Sequence, residues 1–419
     1  HELVPNARRV ADAAAVLWPG MTVGPVCLYR ADGPAFLYGH PAPPPGMTPG
    51  PDGVWVGRQK ELGLFGCTTI ELGGEHTAIV DYGMIDEGSP DAVWATLLHE
   101  LHHVYQRNEV EGLPGENMMD QVTYPIDPEN DARKNREARL LYRMCKTGER
   151  AVFDSLLNLL YSSRLQREQR IGEAYTWERR VENVEGPAFY CEYLYYKRCG
   201  EDTPDLVDHY VENHFWSLLT TPGFGRKGLR QRSLATGMAL CLLLDRYSGA
   251  WKEDSYASGE DLYDFFLSRF APEKDPLHAI PFQKALATHH TIQQKTALVK
   301  AYDAFRQQAG TRVTLLFETC PQVKALDPMN AICFHDTLLL HSTVLQLERG
   351  DNRLYLMQHP ALTSFGESLW CSHSVTLFVR PETMEVRADS LYMTSEQVKL
   401  RWSGKLLKKD RGEAVFLAR

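Results

Sequence analysis

The chain has 419 residues, a length that suits two or three domains and that buries a large core without needing staples. Hydrophobic residues make up 43% and charged residues 24%, which excludes a disordered or fibrous chain. The net charge of −9 argues against bulk binding to nucleic acid or to an anionic membrane, and no apolar run approaches the roughly 18 residues that span a bilayer.

Nine cysteines are scattered without a CxxC pair, so neither a zinc ribbon nor a thioredoxin-like motif is present. Most lie in apolar stretches such as Ala239-Leu240-Cys241-Leu242, where a thiol behaves as a small buried hydrophobe. The sequence opens on His1 without Met, which suits a removed export signal. Export is therefore slightly favoured over a cytoplasmic site.

In chain order, residues 1–88 read as an N-terminal α/β subdomain. A helix is expected at 7–17, then short strands at 23–29, 54–56, 67–70 and 77–80, with a Pro-rich loop at 41–46 that can feed neither a ladder nor a helix interior. Residues 89–309 read as helical throughout. Ser89-Pro90 supplies an N-cap followed by Pro at the first position, and helices are expected at 129–146, 149–183 and 237–247. From 310 to 419 the period changes to two, as in antiparallel strands, with turns expected at Gly350-Asp351-Asn352, Pro381-Glu382 and Ser403-Gly404. The basic residues Lys399, Arg401, Lys405, Lys408, Lys409 and Arg411 read as a solvated strand face.

One motif stands above the rest. His99-Glu100-Leu101-His102-His103 is an HExxH string in a segment whose Trp94, Leu97, Leu98, Leu101 and Tyr105 recur at helical spacing. Four residues of helix turn by a little over one revolution, so His99 and His103 lie within about 40° of each other and can share one metal ion. Zinc takes neutral imidazoles in a tetrahedral set with one open position, and the carboxylate next to the first histidine, Glu100, is placed to act as general base. His102 falls at the edge of the apolar stripe and reads as a packed residue. A hydrolytic zinc needs a third protein ligand, and Glu182 and Glu185 both qualify, Glu185 standing beside a Gly186-Pro187 pair that suggests a backbone break.

The segment Glu185-Gly186-Pro187-Ala188-Phe189-Tyr190 resembles the Glu-Gly-x-Ala-x-Tyr part of the gluzincin metallopeptidase motif, in particular that of the aminopeptidase-N type. The helix preceding that segment is similar to that of a group of bacterial HExxH proteins. The resemblance implies that Glu185 is the third ligand, with one Zn²⁺ per chain held by His99, His103 and Glu185, and that Glu182 is a neighbouring carboxylate or salt-bridge partner. It also implies a zincin-like catalytic unit with a small mixed sheet and a mostly helical body, followed by a C-terminal antiparallel β domain: an α+β fold overall. The implied activity is hydrolysis of a peptide or protein substrate.

The sequence departs from that family in three ways. Val184 replaces its Asn, Phe189 replaces an acidic residue, and Leu234 stands where its transition-state tyrosine belongs. A substitute donor is then expected from Arg232, with Arg230 and Tyr190 as alternatives. An extended substrate is expected to add to strand 77–82 as an edge strand. His209, His214, His289 and His290 carry ligand chemistry but no assigned role. Two other functions share these residues: a zinc hydrolase of a non-peptide amide or ester, and a non-catalytic binding protein on a metalloprotease scaffold.

Overall fold

Short strands rich in Val, Ile, Leu and Tyr build the first sheet. They are β1 (Val26–Tyr29), β2 (Pro34–Tyr38), β3 (Thr48–Pro49), β4 (Trp55–Arg58), β5 (Thr68–Leu72) and β6 (Glu75–Asp81), in the order β3-β4-β2-β1-β6-β5. β1 and β6 run parallel, and the other pairs are antiparallel. This computed structural model describes all residues except 1–2, 23, 86–89, 114–117, 201, 227, 275–280, 335–336, 367, 388 and 411. The expectations touching Val23, Ser89 and Arg411 lie outside the described residues.

The fold is mixed α+β, with a small mixed sheet and a C-terminal β-sheet region. The chain divides into two compact units, residues 1–116 with 129–284, and residues 117–128 with 285–419. The first contains the small sheet together with α1 (Leu3–Leu17), α2 (Pro90–Glu109), α3 (Pro128–Lys146), α4 (Arg150–Ile171), α5 (Glu173–Arg198) and α6 (Leu229–Tyr247). α2 has no Gly or Pro beyond its first position and lies against β6. Its Ala92, Ala95, Leu97, Leu98, Leu101 and Val104 are buried, and so are His99, Glu100 and His102.

Several helix boundaries differ from the sequence expectation. The segment 149–183 is broken at Gly172, whose positive φ of 48° ends α4, a conformation glycine adopts without strain. α5 then runs unbroken through Gly186-Pro187, where a break was expected. α6, which begins at 229 instead of 237, meets α5 there: a Cβ on Gly186 would meet Gly237 Cα at 2.6 Å. The two glycines let the helices cross backbone to backbone.

Buried charges brace these helices. Glu178 pairs with Lys134 and Arg167, Glu137 with Arg167, and Glu182 accepts from both terminal guanidinium nitrogens of Arg164 at 2.7 and 2.8 Å. Removing one partner of such a pair leaves an uncompensated buried charge, at a cost of about 3–5 kcal/mol.

Among the described residues, the second unit contains most of α7 (Pro281–Arg306) and twelve strands. These are β7 (Thr311–Phe317), β8 (Gln322–Leu326), β9 (Ala331–Phe334), β10 (Leu338–His341), β11 (Val344–Arg349), β12 (Asn352–Met357), β13 (Ala361–Phe365), β14 (Ser372–Val379), β15 (Met384–Arg387), β16 (Ser390–Thr394), β17 (Val398–Asp410) and β18 (Glu413–Ala418). All pairings are antiparallel except β18 with β7, which joins the last strand to the first. Gly350 turns the β11–β12 hairpin as expected. Ser403-Gly404 is no turn; it lies inside the 13-residue β17, where a Cβ on Gly404 would meet the Leu417 carbonyl oxygen at 2.0 Å. β17 pairs with β12 and β16 in its first half and with β18 in its second, so one strand serves two sheets around a core that includes Trp402, Leu347, Leu356 and Phe416.

Candidate metal centre

α2 and α5 bring three donors together. His99 Nε2 lies 3.2 Å from His103 Nε2, His99 Nε2 is 3.4 Å from Glu185 Oε2, and His103 Nε2 is 3.5 Å from Glu185 Oε1. Ligand atoms about 2.0–2.2 Å from a tetrahedral zinc stand roughly 3.3–3.6 Å apart; the two histidine–carboxylate separations fall in that range and the histidine–histidine separation lies just below it. Glu185 is 4% exposed, and its Oε2 has no hydrogen-bond partner. A buried carboxylate oxygen without a donor is costly, and a cation among these three groups would satisfy it. The donor set therefore fits a zinc ion.

Both imidazoles are oriented from behind. The Gln106 amide nitrogen donates to the Val184 carbonyl and to the Tyr256 hydroxyl, both at 2.9 Å. Its oxygen consequently faces His103 Nδ1 at 2.8 Å and requires a proton there, which leaves Nε2 of His103 to point a lone pair at the centre. Glu192 does the same for His99, accepting from Nδ1 at 3.0 Å, and its second oxygen accepts from His214 Nε2 at 2.8 Å.

Electrostatics follow this geometry. Burial pushes the Glu185 carboxyl up, but His103 and Arg230 outweigh it and hold it well below the usual range. Burial also opposes ionisation of Glu192, yet its bonds to His214 and His99 bring it down to about 2. Burial lowers His99, and Glu185 and Glu192 overcome that to raise it to about 10. Glu100 is different: desolvation dominates and raises it, with His99 and His103 opposing. A carboxylate whose pKa is raised by burial is a stronger base than a free one.

A cavity of about 350 Å³ opens beside the cluster, lined on its polar side by His99, Glu100, Glu192, Asn213, His214 and Gln231. Phe189, Leu218 and Leu234 form its apolar wall. Leu234 thus faces the cavity without a donor. Arg232 does not join the centre: its guanidinium donates to the Gly225 carbonyl at 3.2 Å and fills the space beside Gly223. Arg230, two residues earlier on α6, contacts Glu185 Oε1 at 2.5 Å instead. Tyr190 points away and its hydroxyl donates to Asp245. Glu182 is taken by Arg164 and Thr236, which leaves Glu185 as the carboxylate at the histidines. His102 is buried edge-on to Trp18 at 4.6 Å, a packed residue. His209 is an exposed neighbour of Asn213, and His289 and His290 belong to the second unit.

Strand β6, which covers most of 77–82, is paired on both sides, by β1 and by β5. The end of this sheet near the centre is β5, whose Thr69 hydroxyl donates to the Glu100 carbonyl at 2.9 Å. Two participants, Gln106 and Glu192, escaped the sequence reading, and His214 stands there without an assigned role. Glu192 had a signal, since a residue seven positions beyond Glu185 returns to the same helical face. Compared with protein-family models, with curated proteins and with solved structures, the chain matches none.

Proposed function

We propose that the protein is a zinc-dependent hydrolase of peptide bonds, with a zincin-like catalytic unit of the gluzincin type. The observation that carries this reading is the convergence of His99, His103 and Glu185 at tetrahedral spacing with Glu100 beside them in an open cavity. A zinc ion held by those three groups would supply Lewis acidity and make a water nucleophilic at neutral pH.

The chain's own residues supply the rest. Glu100 accepts a proton from the attacking water and returns it to the leaving amine. With no donor on Leu234, Arg230 at Glu185 carries the N–H groups that stabilise negative charge developing on the substrate carbonyl oxygen. An extended peptide adds to the free side of β5, the sheet's terminal strand among the described residues, by main-chain hydrogen bonds. Glu192 and Gln106 hold the imidazoles in place throughout.

The test combines metal analysis with a fluorogenic peptide library and a panel of amide and ester substrates. Chelation should abolish peptide cleavage and zinc should restore it. Glu100→Gln should retain its metal while turnover falls by about 10²-fold or more. Wild-type activity in that variant sinks the mechanism, and turnover confined to the non-peptide panel moves the substrate class.

A further inference from the structure

We infer that the second unit contains a redox-gated site for a soft or borderline metal ion, formed by Cys320, Cys371 and His373. This site is independent of the hydrolase reading. One ligand atom from each residue lies within 4.8 Å of the others, and among the described residues the only other such group of three is the centre on α2 and α5. Cys320 and Cys371 are joined by a disulfide, whereas the other seven cysteines are free.

Three observations make this a built site. First, the backbone holds the two cysteines together without help from sulfur. Cys371 forms a β-bridge with Gln322, two residues beyond Cys320, its N–H donates to the Ser368 carbonyl at 3.0 Å, and the two Cα atoms are 5.2 Å apart. Opening the disulfide therefore leaves both thiols facing one point. Second, room is kept for the imidazole: a Cβ on Gly366 would approach His373 Cε1 at 2.8 Å, so any other residue there would push the ring aside. Third, among the described residues neither ring nitrogen of His373 has a protein hydrogen-bond partner, and none of the three residues is buried.

The chemistry balances. A phosphine or dithiol reductant gives two electrons to the S–S bond and yields two thiols; with a phosphine, water supplies the oxygen of the phosphine oxide. Binding of a divalent ion then replaces two S–H protons by two sulfur–metal bonds, releases two protons, and adds one bond to the imidazole. Two thiolates and one imidazole select zinc or copper(I) over magnesium or calcium, with water at the fourth position. The disulfide and the metal complex are alternative states of the same residues.

The experiment uses the full chain and cobalt(II) as probe. Thiol titration should count seven free thiols before reduction, matching the free cysteines; nine would overturn the redox gate. After phosphine treatment and its removal, cobalt should produce a sulfur-to-metal charge-transfer band, which the centre on α2 and α5, having no sulfur, cannot give. Cys320→Ser should abolish that band. His373→Ala keeps both sulfurs and the disulfide, so its fold is secure, and it should weaken cobalt binding about tenfold or more, since even residues that only orient a ligand contribute roughly 10–100-fold. A reduced wild type with no more charge-transfer absorption than Cys320→Ser, or a His373→Ala protein with unchanged affinity, refutes the site.

Discussion

Glu192 lies two helical turns beyond Glu185, and its carboxylate touches both His99 and His214. That position explains why a reading of the sequence finds some of the centre and misses the rest. HExxH places two histidines by spacing alone, because four residues return to the same face. Glu182 and Glu185 differ by about 60° of helix rotation, so periodicity cannot choose between them; Arg164, far away in sequence, does. Arg230 and Arg232 differ by about 200°, which means that choosing between them is choosing a face of α6. The resemblance looked four positions beyond the ligand, at Phe189, whereas the acidic partner stands at seven. Orienting groups of this kind are worth about 10–100-fold in metal affinity. Glu192→Gln and Gln106→Leu should therefore each weaken zinc binding by that factor, measured by competition with a chromophoric chelator, with circular dichroism unchanged. Wild-type affinity in both variants would show that the two residues only pack.

At the scale of elements, the crossing of α5 and α6 sets where Glu185 sits. A Cβ on Gly237 would lie 2.6 Å from Gly186 Cα and 2.7 Å from the Glu182 carbonyl oxygen, contacts with backbone that no rotamer change relieves. Gly→Ala within a helix ordinarily gains about 1 kcal/mol, while overpacking costs about 1–3 kcal/mol. The steric term wins here, and the helix must shift next to a metal ligand. Gly237→Ala is expected to lower the melting temperature and the zinc affinity together; a higher melting temperature with normal affinity would contradict the crossing. The sequence shows glycine at 186 and 237 but not that they meet, and so Gly186-Pro187 looked like a break. Strand 77–82 poses a similar limit. Its run Thr77-Ala78-Ile79-Val80 reads correctly as a strand, but edge or centre depends on strand order, which no local pattern encodes. Its unbroken burial over the last five residues of β6 is that of a central strand covered on both faces.

For the whole molecule, composition and period change reveal an α+β chain with a β-rich end, while compactness follows contacts that sequence does not display. The period changes near 310, yet Tyr302 and Phe305 of α7 pack with Phe334 and Leu340 of the strands, and Met119 and Val122 pack with Cys333, Leu339 and Phe365. Both segments therefore group with the second unit. The core of that unit also contains a titrating group with a predictable effect on stability. His341 is 3% exposed, its Nε2 meets the Thr363 hydroxyl at 3.0 Å, and its Nδ1 has no partner. Burial lowers its pKa from 6.5 to about 4. The unfolded chain thus takes up a proton near pH 6.5 that the folded chain refuses until about pH 4, so unfolding binds protons in this window and stability falls as pH falls. The contribution is complete above pH 6.5, and by pH 5 roughly 2 kcal/mol of it is lost. Asp131, raised to about 6 by burial, works in the opposite direction but does so equally in any His341 variant. His341→Gln keeps a polar group near Thr363 and cannot titrate. Melting temperatures measured at pH 7.5 and pH 5 should therefore drop less for His341→Gln than for the wild type, by the equivalent of about 2 kcal/mol; equal drops in the two proteins would mean that His341 is solvated or paired when protonated in the folded state.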